Sequence, residues 1–92
     1  MITAPDIDPK AMALLDQLGA TIFTAPAYSS EDALAKIAAS EQIDAIIVRV
    51  GKVSAKVIDA SSRLRVLSKG GIGVDNIDVD HATAKGIVVT NA

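Results

Sequence analysis

The sequence alternates regularly between short runs rich in β-branched residues and alanine-rich segments with helical spacing, and this alternation limits the fold more than any other feature. Five runs have the composition of β-strands: residues 1–4, 20–25, 44–50, 64–70 and 87–92. The segments between them predict helices. Because residues 45–48 are all apolar, we expect the third strand to be buried on both faces, as strands of parallel sheets are.

Capping residues occur where the predicted helices should begin or end. Asp8 is a candidate N-cap, Pro9 suits the first helical position, and Gly19 is placed to end the same helix. An apolar stripe in that helix consists of Met12, Leu14, Leu15 and Leu18. The later helices have candidate N-caps at Ser29 or Ser30, at Ser54 and at Asp78.

Strands joined by helices through short connections predict an α/β protein with a parallel sheet. Since crossovers are right-handed, few topologies remain, and we favour a flavodoxin-like three-layer sandwich. Its five-stranded parallel sheet would have the order 2-1-3-4-5. No helix follows the last strand in this sequence, so we expect a fold that is incomplete at its C-terminal end. The uncovered part of one sheet face favours association, as in a homodimer.

Composition excludes several classes of protein. Ninety-two residues, half of them hydrophobic, allow one small globular domain. The net charge is −2 and the aromatic residues are Phe23 and Tyr28, so we expect no nucleic-acid surface. There is no cysteine, no apolar run long enough to span a membrane, and no signal-peptide pattern at the start. We therefore expect a cytoplasmic protein that does not act at a membrane.

The stretch SKGGIGVDNIDVD, residues 68–80, has three glycines within four positions. A dinucleotide fingerprint is disfavoured, because Gly71 and Gly73 lack a third glycine and follow the fourth strand rather than the first. A P-loop would need Gly-Lys-Ser/Thr. A calcium loop that began at Asn76 would need glycine at its sixth position and glutamate at its twelfth. The sequence has His81 and Ile87 at these positions. No metal site is expected here.

Two interpretations of this stretch stay open from residue types alone. The glycines either serve only a connecting turn, or they expose the backbone N–H groups of Ile72 and Gly73 to an anion at the carboxyl end of the fourth strand. Arg49 ends the third strand, so it should lie at the same edge of a parallel sheet, either in solvent or paired with the anion. Lys69 would at most add positive potential.

Residues 64–92, LRVLSKGGIGVDNIDVDHATAKGIVVTNA, resemble the D-isomer-specific 2-hydroxyacid dehydrogenases, and within them the phosphoglycerate dehydrogenase-like members. The shared pattern is a strand, a Gly-x-Gly-x-Asp-Asn turn, a short helix, Lys/Arg-Gly, and an Ile-x-Val-x-Asn strand. Residues 44–67 continue the likeness. Residues 1–43 fit the family in architecture rather than in motif.

The resemblance implies an NAD-dependent oxidoreductase whose flavodoxin-like substrate-binding domain is interrupted by a Rossmann domain that binds NAD(H). Residues 1–92 would be the N-terminal part of the substrate-binding domain, with the Rossmann domain absent. By this likeness, the backbone N–H groups of Ile72 and Gly73 would bind the carboxylate of a small 2-hydroxy or 2-keto acid. Ile72 would also border the nicotinamide, and Arg49 would bind the substrate.

The family's catalytic Arg, Glu and His belong to a later part of its sequences, so the resemblance implies no catalytic residue in this chain. The 92 residues alone are expected to be inactive. His81, the only histidine, is expected to be a surface residue near a helix start. The sequence also departs from phosphoglycerate members: it is one residue shorter after Arg49, lacks their serine there, and has Ile72 where many of them have threonine.

Two rival classes share the predicted architecture. A phosphoacceptor receiver would need an aspartate at the end of the third strand and a lysine at the end of the fifth, where this sequence has Arg49 and Asn91. A non-enzymatic assembly module, which associates through an open sheet face, is the other alternative.

Overall fold

The structure is a computed structural model that describes residues 1–4, 9–69 and 76–91. Its helices are α1 (Pro9–Gln17), α2 (Glu31–Glu41), α3 (Ala55–Ala60) and α4 (Val79–Ala84). Its strands are β1 (Ala45–Val48), β2 (Val66–Lys69) and β3 (Val88–Asn91). The predicted N-cap Asp8 lies outside the described residues.

The strands form one parallel sheet in the order β1-β2-β3. The register places Val48 opposite Lys69, and Lys69 opposite Asn91, so all three strands end level with one another. We call this side of the sheet the carboxyl edge. The α/β class and the parallel sheet are thus confirmed, with three strands in the described part of the chain where five were predicted.

The first two predicted strands are isolated β-bridges. Ile2 bridges in parallel to Thr24 on one side and to Ile47 of β1 on the other. The residues that follow these two segments are Pro5 and Pro26, which have no N–H to donate. Neither proline can therefore extend the pairing as a donor.

Three helices cover one face of the sheet. α2 packs on α3, α3 on α4, and α4 on β3. The side chains in the centre of the core are fully buried and include Leu34, Ile46, Val48, Val57, Ile58 and Leu67. Ile46 and Leu67 are register partners in β1 and β2, so the core side of the sheet is continuous across the two strands. Their neighbours Ile47 and Ser68, whose side chains point to the opposite face, are only half-buried.

Helix α1 begins at Pro9 as predicted, but its apolar stripe is not buried. None of its residues is buried. Leu14 is 56% exposed, and Leu18, just beyond the helix, is 73% exposed. No helix of the described residues is long and apolar enough to cross a membrane.

The N-caps agree in part with the sequence. Ser30 caps α2, because its Oγ accepts a hydrogen bond from the Ala33 N–H over 3.1 Å. Asp78 caps α4 in the same way, accepting from the His81 N–H over 3.0 Å. Ser54 stands at the N-cap of α3 but makes no capping bond with its side chain. The capping bonds of Asp78 and Ser30 agree with the sequence prediction, whereas the side chain of Ser54 makes no such bond.

Candidate functional site

Arg49 and Lys69 lie together at the carboxyl edge, as the parallel arrangement predicted. Arg49 follows the last residue of β1, and Lys69 is the last residue of β2. The Lys69 ammonium Nζ donates to the backbone carbonyl oxygen of Arg49 over 3.1 Å. Lys69 thus does more than add positive potential, because it holds the main chain at the point where Arg49 leaves the sheet.

A second side chain holds Arg49 from the other side. The Arg49 N–H donates to Oγ1 of Thr3 over 2.8 Å, and Thr3 is 1% exposed. A buried hydroxyl needs a hydrogen-bond partner, and here the partner is the backbone of the residue predicted to bind substrate. Sequence reasoning did not single out Thr3, and the only signal was a polar residue inside an apolar strand.

Asn76, which directly follows residues 70–75 (the glycine stretch), is bonded to the turn after Arg49. Its side-chain Nδ2 donates to the Gly51 carbonyl over 2.7 Å. Its own carbonyl accepts from the Val53 N–H over 2.8 Å, and the Asp78 N–H donates back to the Val53 carbonyl over 3.0 Å. The chain that follows the stretch is therefore paired with the chain that follows β1.

Residues 70–75, with the predicted site residues Ile72 and Gly73, lie outside the described residues. The residues on either side of them are described. Lys69 contacts Arg49, and Asn76 contacts Gly51. The described residues that flank positions 70–75 therefore contact Arg49 or the turn that follows it.

A cleft of about 480 Å³ lies next to this region. It is lined by Glu31, Lys52, Ser54, Ala55, Lys56, Asn76, Ile77 and Asp78. Its lysines already have acidic neighbours on α2: Lys52 Nζ is 3.9 Å from Glu31, and Lys56 pairs with Asp32. These pairs are exposed and contribute little to stability, but they reduce the positive charge offered to an anion.

A second cavity, of about 520 Å³, lies toward the amino ends of the strands. Its lining includes Leu15, Phe23, Ile43, Ala45 and Arg63. Ala45 is the first residue of β1, so this cavity is at the opposite end of the sheet from Arg49. In open parallel sheets ligands bind outside the carboxyl ends of the strands, which favours the Arg49 edge as the candidate site.

His81 contacts helix α3 rather than the candidate site. Its Nε2 lies 2.8 Å from Oδ1 of Asp59, and Nζ of Lys85 donates to the same oxygen over 2.8 Å. The hydrogen bonds from Lys85 and His81 lower the pKa of the Asp59 carboxyl below its ordinary value. The three residues connect α3 with α4 on the surface.

The turn between β1 and α3 does not have the pattern of a dinucleotide cradle. Between β1 and α3 there is one glycine, Gly51, and α3 has only six residues. A dinucleotide cradle needs a glycine-rich turn that leads directly into a longer helix. No group of three or more metal-ligating side chains occurs in the part of the chain that the structure describes.

Known proteins resemble this chain over its whole length. Residues 1–92 match the family described as D-isomer specific 2-hydroxyacid dehydrogenase, catalytic domain. A D-3-phosphoglycerate dehydrogenase of Methanocaldococcus jannaschii is 39% identical over 93 aligned positions, which cover 100% of this chain and 17% of the relative. The human D-3-phosphoglycerate dehydrogenase is 34% identical over 92 positions, which cover 99% of this chain and 17% of the relative. The chain thus spans about a sixth of the length of these relatives.

Solved structures share the fold. A protein of Pyrococcus horikoshii superposes with a TM-score of 0.86 at 29% identity, covering 99% of this chain and 26% of that protein. The NAD⁺-bound 3-phosphoglycerate dehydrogenase of Entamoeba histolytica gives a TM-score of 0.82 at 22% identity, covering 98% of this chain and 31% of that protein. The match over residues 1–92, together with the identity to the archaeal relative, shows that this chain belongs to the D-isomer-specific 2-hydroxyacid dehydrogenase family.

Proposed function

We propose that residues 1–92 are the N-terminal part of the substrate-binding domain of an NAD-dependent D-2-hydroxyacid dehydrogenase similar to phosphoglycerate dehydrogenase. The complete protein would interconvert small D-2-hydroxy acids and 2-keto acids. The observation that supports this most directly is the arrangement at the carboxyl edge. There Arg49 is held by Thr3 and Lys69, and Asn76 holds the turn that follows it.

The role proposed for this chain is to bind and orient the substrate. The Arg49 guanidinium would bind an anionic group of the substrate, for which its planar array of donors is suited. The backbone N–H groups of Ile72 and Gly73 would bind the carboxylate, as the family resemblance implies. The isoleucine side chain has no donor, so Ile72 would contribute apolar contact beside the nicotinamide.

NAD(H) would supply the hydride chemistry when bound to the nucleotide-binding domain, which lies outside these 92 residues. The described residues do not fit a dinucleotide, and hydride transfer also needs a general acid or base within hydrogen-bond reach of the substrate. None of the residues proposed for the site has that role. The 92-residue chain alone is therefore expected to be inactive.

The proposal also includes the strand number and strand order of the complete sheet. We propose a five-stranded flavodoxin-like sheet in the order 2-1-3-4-5. The two bridges of Ile2, to Thr24 and to Ile47, support this order, because they put residues 1–4 between the second predicted strand and β1. The homodimer and the cytoplasmic location stay predictions.

Kinetics of the complete protein test the proposed function. We expect oxidation of NADH in the presence of 2-keto acids, and no turnover by the 92-residue chain. Replacing Arg49 by Ala should raise KM for the acid by about tenfold to a hundredfold, because a charged hydrogen bond is lost. Arg49→Lys should recover only part of this loss, since lysine cannot form the paired contact.

Lys36→Ala, an exposed position in α2, is the matched control for removal of one positive charge. Absence of NADH oxidation with every 2-keto acid tried would overturn the proposal. An unchanged KM in Arg49→Ala would remove Arg49 from the substrate site and leave the enzyme class intact.

An assembly module without redox activity is the second candidate. Leu14 and Leu18 are largely exposed, and apolar side chains on a surface helix favour association. Light scattering over a dilution series would detect a dimer that dissociates. Acetyl phosphate followed by mass spectrometry would test the receiver alternative, for which we expect no added phosphoryl group.

A further inference from the structure

The geometry points to Asn76 as a positioning residue for Arg49, an inference that rests on the proposed function. Asn76 lies just after the glycine stretch, before α4 begins. Its Nδ2 donates to the carbonyl of Gly51 over 2.7 Å, in the turn that follows Arg49. Asn76 would act on the substrate only through this turn.

Asn76 holds the turn at two points. Besides the bond from its side chain to Gly51, its backbone carbonyl accepts from the Val53 N–H over 2.8 Å. Ile77 and Val53 form a parallel β-bridge, and Val53 is completely buried. A single hydrogen bond would leave the turn free to rotate about that bond. The two bonds from Asn76, to Gly51 and to Val53, restrict the orientation of the turn.

The backbone conformation of Gly51 makes the hydrogen bond from the Asn76 side chain important for the structure of the turn. Gly51 has a φ of +87°, in the left-handed region that favours glycine. A Cβ atom at this position would lie 3.5 Å from the backbone oxygen of Ser29, so the turn passes close to the start of α2. Without the Asn76 amide, the carbonyl of Gly51 would lose a hydrogen bond in a partly buried environment, which has a cost in free energy.

The other bonds to this segment come from different parts of the chain. Thr3 accepts from the Arg49 N–H, and Lys69 donates to the Arg49 carbonyl. Asn76 adds a bond from the chain that follows the glycine stretch. It therefore couples the position of Arg49 to the described chain at Asn76 and Ile77.

Loss of this coupling should weaken substrate binding specifically. The turn after Arg49 would sample more conformations, and the Arg49 guanidinium would be placed less accurately. The Kd for NAD(H) should change little, because the Asn76 side chain bonds to the turn after Arg49 and not to a residue proposed to contact the nicotinamide. The predicted signature is a raised KM for the acid with little change in kcat.

The test uses the complete protein and three variants. Asn76→Asp is nearly isosteric but has no N–H donor when ionised, and Asn76→Ala removes the whole amide. Ser62→Ala is the control, because it removes an exposed bond of 2.8 Å between Ser62 Oγ and Gln42 that lies away from the carboxyl edge. Steady-state kinetics with a 2-keto acid, NADH titration by fluorescence, and circular dichroism would be measured for each.

We expect KM for the acid to rise about tenfold in both Asn76 variants, which corresponds to one partly buried hydrogen bond. We expect kcat to stay within about threefold, and the Kd for NADH and the circular dichroism to be unchanged. Ser62→Ala should match the wild type. A wild-type KM in Asn76→Asp would overturn the inference, as would a parallel loss of kcat, NADH binding and folded structure. A wild-type protein that turns over no 2-keto acid would overturn the proposed function itself, and the role of Asn76 with it.

Discussion

Asp59 of α3 and His81 of α4 are 22 positions apart in the sequence, and their side chains are 2.8 Å apart in the structure. Lys85 Nζ donates to the same Oδ1 oxygen of Asp59, also over 2.8 Å. One carboxylate oxygen therefore links α3 to the side chains of His81 in α4 and of Lys85 directly after it. Because α4 follows the glycine stretch, this link also holds the helix that leads away from the candidate site.

The link predicts a stability that depends on pH. The bonds from Lys85 and His81 lower the pKa of Asp59 below its ordinary value of 3.8. A carboxyl whose pKa is lower in the folded state stabilises the fold above its unfolded-state pKa, and this contribution is lost as the pH falls through the folded-state value. Asp59→Asn should therefore destabilise the protein at neutral pH, and the difference from wild type should shrink in acid.

Urea unfolding at several pH values between about 7 and about 3 would measure this difference. Glu41→Gln, which removes an exposed carboxylate at the end of α2, is the control for the loss of one negative charge. A difference between Asp59→Asn and wild type that is the same at every pH would contradict the prediction.

The left-handed backbone at Gly51 predicts a cost for any residue with a Cβ. Gly51→Ala should reduce the free energy of unfolding by about 1–2 kcal/mol, because the φ of +87° is strained for an L-amino acid. The neighbouring exposed change Lys52→Ala should stay within about 0.5 kcal/mol of wild type. Denaturant unfolding measures the free energy of unfolding of both variants. Equal reductions in Gly51→Ala and Lys52→Ala would argue against backbone strain at Gly51.

Two serines at helix N-caps should respond differently to the same substitution. Ser30 Oγ accepts from the Ala33 N–H, so Ser30→Ala should cost about 1 kcal/mol. Ser54 Oγ is buried and has no hydrogen-bond partner in the described part of the chain, so Ser54→Ala should cost little or should stabilise. Thermal unfolding of the two variants tests this difference. A larger loss of stability in Ser54→Ala than in Ser30→Ala would mean that the Ser54 hydroxyl is hydrogen-bonded in solution.

The central strand predicts a large effect of a core truncation. Leu67 is fully buried in β2, between β1 and β3, and Leu67→Ala should reduce the free energy of unfolding by about 2–5 kcal/mol. Leu18→Ala makes the same chemical change at a side chain that is 73% exposed, and should cost less than about 0.5 kcal/mol. A substantial loss for Leu18→Ala would indicate that its surface is covered in solution.

The sequence by itself determined the features that depend on neighbouring residues. The start of α1 at Pro9 and the Asp78 cap of α4 follow from local chemistry, because a cap or a fixed φ acts within one helical turn. The family followed from the motif in residues 64–92, and the match to residues 1–92 confirms it. The position of Arg49 at the carboxyl edge followed from the parallel order alone, since parallel strands end at the same side of a sheet.

Only the tertiary structure decided which groups hold that edge together. Thr3 is 46 positions from Arg49, and Asn76 is 25 positions from Gly51, so neither contact is visible in any local pattern. The same holds for α1, whose apolar stripe includes Leu14 and Leu18, both of which are exposed in the structure. Hydrophobic spacing specifies which face of a helix can be buried, but burial itself depends on whether another part of the chain packs against that face.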